Sequence, residues 1–266
     1  MVEWPGGARG ALCLSFDNLG EAAELELGAQ PDAPLGEHFT ATRVLPALLD
    51  ALGEHEISAT FFVEGLNAEL YPDALKGIAA RGHEVAYHGW RHEQWDELSV
   101  SEQTANLARG IAAFEALGLR VAGMRPPGGK LGAGGLEAIR RAGLRYCSPA
   151  GERAGVENSV AVLPFEWRHV DASCVLPAMT AAREAIAGSP APVEPAAFLA
   201  YLEAEVARLA SEGGFAAFIL HPFMLDWLGE DNLGRLLDRL REAGHSGDLW
   251  LATCAEVVTH ALSISD

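Results

Sequence analysis

Two histidines stand four residues apart in His88-Gly89-Trp90-Arg91-His92. On a helical turn that spacing puts both imidazoles on one face. Two neutral imidazoles plus an oxygen donor suit Zn2+ or a similar divalent ion, with a place left for water. Spacing alone leaves the bland alternative open, in which His88 packs in the core and His92 lies on the surface. Asp17 ends an apolar run and suits a general base or a metal ligand; a turn-capping aspartate is the alternative. His221 stands between an apolar run and Pro222-Phe223. Partial burial there favours the neutral ring and allows acid–base work near neutrality, while a satisfied core histidine would look the same. Arg125 precedes Pro126-Pro127-Gly128-Gly129, a stiff turn that could hold its guanidinium against a carboxylate; a surface ion pair is the alternative. Trp167 and Asp171 lie in a long connecting segment, as pocket residues or as an aromatic anchor and a turn residue.

The elements that must position these groups follow from apolar periodicity. Strands are expected over residues 11–16, 57–63, 84–87, 121–124, 145–147, 160–163, 215–220 and 249–252. Helices are expected over 42–52, 67–80, 99–117, 135–142, 181–187, 195–211, 231–243 and 255–262. Ser99 and Glu102 have the capping-box spacing at the start of the third. Residues 21–40, with Gly28, Pro31, Pro34 and Gly36, read as a long loop, and loops of that length are usually functional. Alternating strands and helices imply a mainly parallel α/β sheet, taken as a single domain over 1–266. In such folds ligands bind beyond the C-terminal strand ends. Asp17 and Asn18, His88, Arg125 and His221 each follow a different expected strand, so one rim would collect them.

Composition narrows the function. The chain has 266 residues, 49% of them hydrophobic, and a formal charge of -18. That charge repels phosphate backbones and anionic membranes, so neither nucleic acid nor a membrane is the expected partner. Cys13, Cys147, Cys174 and Cys254 show no metal-binding or disulfide spacing. The first ten residues lack a basic segment followed by an apolar one, and no run has the length of a membrane span, so a cytoplasmic location is the expectation. Faces rich in Ala and Leu, as over 196–209, suit a core or a homo-oligomer interface equally.

Taken together, the motifs resemble the polysaccharide deacetylase (NodB homology) family, carbohydrate esterase family four in the broad sense. Ser15-Phe16-Asp17-Asn18 is similar to its first motif, and Ala59-Thr60-Phe61-Phe62-Val63 to its second strand. The segment from Gly82 to His92 is similar to its metal-binding histidine motif, Arg125-Pro126-Pro127-Gly128 to its arginine motif, and Leu220-His221-Pro222 to its late leucine–histidine motif. The resemblance implies a distorted (β/α)7 barrel, TIM-barrel-like, and metal-dependent hydrolysis of an acylated nitrogen, most simply with Zn2+. It implies His88 and His92 as metal ligands, Asp17 as general base, His221 as general acid, Arg125 orienting Asp17, and Asp171 supporting His221.

One position departs from the family pattern. Asn18 stands where a second aspartate usually ligates the metal. Three readings stay open: Asn18 still ligates, Glu21 or Glu24 replaces it, or the site binds metal poorly and serves another or no activity. Details such as Trp90-Arg91-His92-Glu93 and Pro164-Phe165-Glu166-Trp167 look nearer the allantoinase-like, cytoplasmic branch. The expected substrate is therefore a small or medium N-acyl sugar or amide, in a pocket drawing on Trp90, Trp167, Pro126, Glu21 and His38. A silent carbohydrate- or metabolite-binding member, with Trp90, Trp95 and Trp167 as stacking walls, is the alternative. A metal-independent hydrolase using Asp17 and His221 is a third.

Overall fold

Strands form where apolar residues run unbroken, because a parallel sheet covered on both faces has no polar side. A computed structural model describes residues 4–30 and 32–263; residues 1–3 of the first ten, and Pro31 of the long loop, lie outside them. The strands are β1 (Gly10–Asp17), β2 (Thr60–Val63), β3 (Glu84–Tyr87), β4 (Gly123–Met124), β5 (Tyr146–Cys147), β6 (Gly155–Glu157), β7 (Val160–Val162), β8 (Gly214–Leu220) and β9 (Leu249–Leu251). They make one nine-stranded sheet in the order β6-β7-β5-β4-β3-β2-β1-β8, with β9 also paired to β1. Every pairing between these strands is parallel except β6 with β7. The sheet curls into a distorted, TIM-barrel-like half-barrel. Between β7 and β8 the described residues supply only an isolated bridge, Val170 to Ile219.

Strand parity sorts the residues. Leu12, Leu14, Phe16, Phe61, Val63, Val85, Tyr87, Met124, Cys147 and Leu220 pack outward into the layer of helices. Cys13, Phe62, Ala86, Tyr146, Ala217 and Ile219 pack inward, against Cys254, Val257 and Val258 of the last helix, Cys254–Ser263. Side chains alternate along a strand. The residue after Val63, Tyr87, Met124, Cys147 and Leu220 therefore turns inward at the C-terminal rim. Those residues are Glu64, His88, Arg125, Ser148 and His221. Asp17 has the same parity as Cys13.

Three expectations change. The helix expected over 67–80 is two helices, Asn67–Leu70 and Pro72–Ala80. The residue before a proline is pushed out of the α region, and Tyr71 sits at φ -132. The long loop holds a short helix, Ala22–Glu26, and enters the next helix through a wide turn at Thr40–Val44. Strand β6 was not expected, because all its residues are exposed and carry no apolar signal. The Ser99–Glu102 capping box is present at helix Val100–Ala116.

Candidate active site

The rim at the C-terminal end of β1 begins with a buried ion pair. Arg125 Nη1 donates to Asp17 Oδ1 at 2.6 Å and to Ser15 Oγ at 2.9 Å. Its Nη2 donates to Ser148 Oγ at 3.0 Å, and its plane lies 4.0 Å from the Phe62 ring centre. Asp17 is 5% and Arg125 1% exposed, so this is no surface pair. Burial pushes the Asp17 carboxyl above its ordinary value, while the charges of Arg125 and His221 pull it back only in part. Arg125 engages Oδ1; Oδ2 points to His88 Nε2 at 3.9 Å.

His88 follows β3, and its Nδ1 meets the Arg125 carbonyl oxygen at 2.9 Å. That acceptor fixes the proton on Nδ1 and leaves the Nε2 lone pair toward the site, as ligating histidines are commonly arranged. The His92 ring is 4.9 Å from that of His88, centre to centre. The expected helical turn does not bring them together. Residues 88–92 form a bend without helix, and His92 has φ 73. Glu93 holds the bend by accepting from the Trp90 N–H at 2.9 Å. Burial holds His88 well below its ordinary value, with the neighbouring His92 adding to it; burial holds His92 at about 4. Both rings are thus neutral, the metal-binding form.

A second buried pair lies across the rim. His221 Nδ1 donates to Asp171 Oδ1 at 2.5 Å, and the His221 backbone N–H donates to Oδ2 at 2.7 Å. Asp171 is fully buried and follows Val170, which bridges to β8. Burial disfavours the imidazolium, but the Asp171 charge and hydrogen bond outweigh it and raise the His221 pKa.

Asn18 has φ 62, and its buried Oδ1 has no protein partner. Left-handed backbone at a non-glycine costs roughly 1 kcal/mol or more and clusters at functional sites. An orphaned buried oxygen in the residue after Asp17 and two neutral imidazoles are donors of the kind that fit a divalent cation. Among the described residues no three His, Cys, Asp or Glu side chains group closely enough to hold a metal. An amide oxygen falls outside that set, so His88, His92 and Asn18 remain the residues that could.

Glu21 and Glu24 are engaged elsewhere. Glu21 accepts from the Gly36 N–H at 2.8 Å and the Tyr71 hydroxyl at 2.5 Å. Glu24 pairs with His38 Nε2 at 3.3 Å, and His38 Nδ1 meets Thr40 Oγ1 at 2.8 Å. These groups tie the long loop down, because a buried carboxylate needs its donors close by. Trp90 is no open wall: it is 5% exposed, with Arg109 over its ring at 3.4 Å. Trp95 is fully buried. Trp167 is half-buried against Phe165, and Pro126 is buried beside Arg125 in the chain.

The sequence reading missed Glu64, Ser15 and Ser148. Glu64 follows an apolar strand just as His88 and Arg125 do, so the same positional rule would have found it. A cavity of about 1170 Å³ opens at the other end of the sheet, beside Gly214 and Phe215, and none of the expected residues lines it. Chemistry at the rim, not volume, marks the site.

The polysaccharide deacetylase family model matches residues 30–147, a stretch that contains His88, His92 and Arg125. Residues 30–147 belong to the polysaccharide deacetylase family. The peptidoglycan-N-acetylglucosamine deacetylase PgdA of Listeria monocytogenes serotype 1/2a (strain 10403S) is 34% identical over 90 residues. That alignment takes in 34% of this chain and only 19% of the Listeria protein. A solved structure from Mycobacterium smegmatis, provisionally named a polysaccharide deacetylase, superposes with TM-score 0.84 at 24% identity, covering 99% of this chain and 94% of that one. The Puue allantoinase structure gives 0.74 at 18%, covering 97% and 92%. These superpositions extend the deacetylase-like fold to both ends of the family match, where Asp17, Asn18, Asp171 and His221 lie. No helix of the described residues is long and apolar enough to cross a membrane.

Proposed function

We propose that this chain is a divalent-metal-dependent hydrolase of an acylated nitrogen, an N-deacetylase acting on a small or medium N-acyl sugar or related amide. The observation that carries the proposal is one rim bearing two buried carboxyl–cation pairs of opposite use, Asp17–Arg125 and Asp171–His221, beside His88 and His92. A bound cation, most simply Zn2+ held by His88, His92 and Asn18, would acidify water and polarise the scissile carbonyl.

The chain's own residues do the proton work. Arg125 occupies Asp17 Oδ1 and leaves Oδ2 to accept a proton from the attacking water. His221 keeps its proton against Asp171 and presents Nε2 to the leaving nitrogen, which must be protonated as the C–N bond breaks. Each such transfer contributes roughly 100- to 10,000-fold. Arg125, packed between Phe62 and Phe165, keeps the carboxylate from turning away. Asn18 brings no charge, so the site would hold a divalent cation less tightly than with an aspartate there.

Metal analysis of purified protein, followed by a screen over N-acetyl sugars, N-acyl amines and cyclic amides, tests the proposal. Turnover should need a divalent ion and vanish on chelation. Retained turnover in a His88→Ala, His92→Ala variant would sink the metal mechanism and favour hydrolysis by Asp17 and His221 alone. The neutral Asn18 favours a second reading, a silent member that binds a carbohydrate or metabolite. Absence of metal and turnover in the native chain, with metal binding gained on Asn18→Asp, would select it.

A further inference from the structure

Glu64 is a buried acid at the rim that the proposed chemistry leaves unused. It is fully buried, it is the first residue after β2, and it turns inward between β1, which carries Asp17, and β3, which precedes His88. Its Oε2 accepts from Asn67 Nδ2 at 3.0 Å, while Oε1 has no partner. The same Asn67 Nδ2 donates to the Leu19 carbonyl at 2.6 Å. Leu19 is the residue after Asn18, and it is flanked by two left-handed residues, Asn18 at φ 62 and Gly20 at φ 70. The Gly20 N–H is held in turn by Thr40 Oγ1 at 2.8 Å. A Cβ at Gly20 would lie 2.8 Å from Asn67 Oδ1 and 2.7 Å from the Tyr71 ring, so the turn is pressed against Asn67.

We propose that Glu64 and Asn67 form a clamp on the Leu19 peptide that aims Asn18 Oδ1 at the metal position. The clamp rests on the proposed metal role of Asn18, and Glu64 is a positioning residue in it. A neutral amide ligand gains little from charge, so its affinity depends on being held in place before the ion arrives; orientation fixed in advance saves the ordering cost at binding. Asparagine tolerates left-handed backbone better than most residues, and the contact of Asn67 with the Leu19 carbonyl holds the turn in that conformation. Burial pushes the Glu64 carboxyl well above its ordinary value, with Asp17 and Glu93 adding to it. Burial thus favours the uncharged carboxyl, and a carboxamide of the same shape should replace it.

Co2+ binding and its visible spectrum, read by titration of the metal-free full chain, test the clamp. Hydrogen exchange at residues 18–20 is read alongside. Asn67→Ala and Glu64→Ala should weaken Co2+ at least about 10-fold, change the spectrum and speed exchange at the turn. Glu64→Gln should stay within about 3-fold of the native chain. In an Asn18→Ala background, Asn67→Ala should cost little further affinity, because coupled residues are not additive. Unchanged Co2+ affinity in Asn67→Ala overturns the clamp alone, as does an Asn67→Ala loss undiminished in the Asn18→Ala background. If the native chain binds no Co2+, both the clamp and the metal mechanism fall.

Discussion

At the scale of single residues, the rim works by pairing each titratable group with one partner that sets its protonation. Asp171 is the clearest case, because its charge and hydrogen bond, with a smaller contribution from the Asp17 charge, hold the His221 pKa up against burial. Asp171→Asn removes that support and should lower the His221 pKa. A general acid must be protonated, so the alkaline limb of the kcat/KM profile should move to lower pH. Activity at neutral pH should fall roughly 100- to 10,000-fold. A pH–rate series on native and variant chains measures both; an unshifted limb would remove His221 as the acid. Residue types made the pair legible in part. His221 was visible as a polar residue after an apolar run and Asp171 as a pocket or turn residue of a long connecting segment, but they are fifty positions apart, and only the family resemblance, not their spacing, joins them. Glu64 shows the converse. Its place after the Ala59–Val63 run was as informative as that of His88, yet a glutamate before a glycine reads as an ordinary loop residue.

Secondary-structure elements act on the site through how closely they approach one another. Helix Val100–Ala116 carries Gly110 in its interior, where alanine would ordinarily favour the helix by about 1 kcal/mol. Here a Cβ would fall 2.1–2.5 Å from the Tyr87 ring, whose residue directly precedes His88. Gly110→Ala should therefore lower the melting temperature, by an amount corresponding to about 1–3 kcal/mol, and should weaken metal binding. Thermal melting and Co2+ titration check it; a gain in stability would show that the helix can move away freely. Ser99→Ala, at the exposed cap of the same helix, should cost about 1 kcal/mol and leave turnover unchanged. Boundaries of long periodic elements were legible to within a residue or two. The break at Tyr71 was legible in principle from Pro72. Exposed β6 was not, because its pairing with β7 is decided by the turn between them, where Asn158 and Ser159 take left-handed backbone.

For the molecule as a whole, the buried rim makes stability depend on pH. His88 and His92 bind protons less readily folded than unfolded. Their contribution rises with pH toward the ordinary histidine value near 6.5 and is lost as pH falls below it. His221, raised in the fold, is stabilising below about 6.5 and loses that contribution as pH rises through its folded value. The buried acids Asp17, Glu64 and Glu84 are raised too, and so oppose the two neutral histidines at acid pH. Single variants separate these effects. Between pH 4.5 and 6, stability of the metal-free native chain should climb more steeply than that of His92→Asn, by up to about 1.4 kcal/mol per pH unit. Denaturant titrations across that range check it, and equal slopes would refute the depressed His92 pKa. By itself the sequence determined the parallel α/β architecture, the strand ends that carry Asp17, His88, Arg125 and His221, and the anomaly at Asn18. The architecture and the strand ends depend on periodicity and residue type, which are local; the anomaly at Asn18 shows only against the pattern of the family that the motifs resemble. The tertiary structure alone decided that the histidines meet through a left-handed bend and not a helical turn, and that Glu21 and Glu24 tie down a loop. It also decided that Trp90 packs under Arg109 and that Glu64 and Asn67 close on Leu19. Apart from the local bend, each of these is a contact between residues well separated along the chain, and such contacts exist only once the chain has folded and brought those segments together.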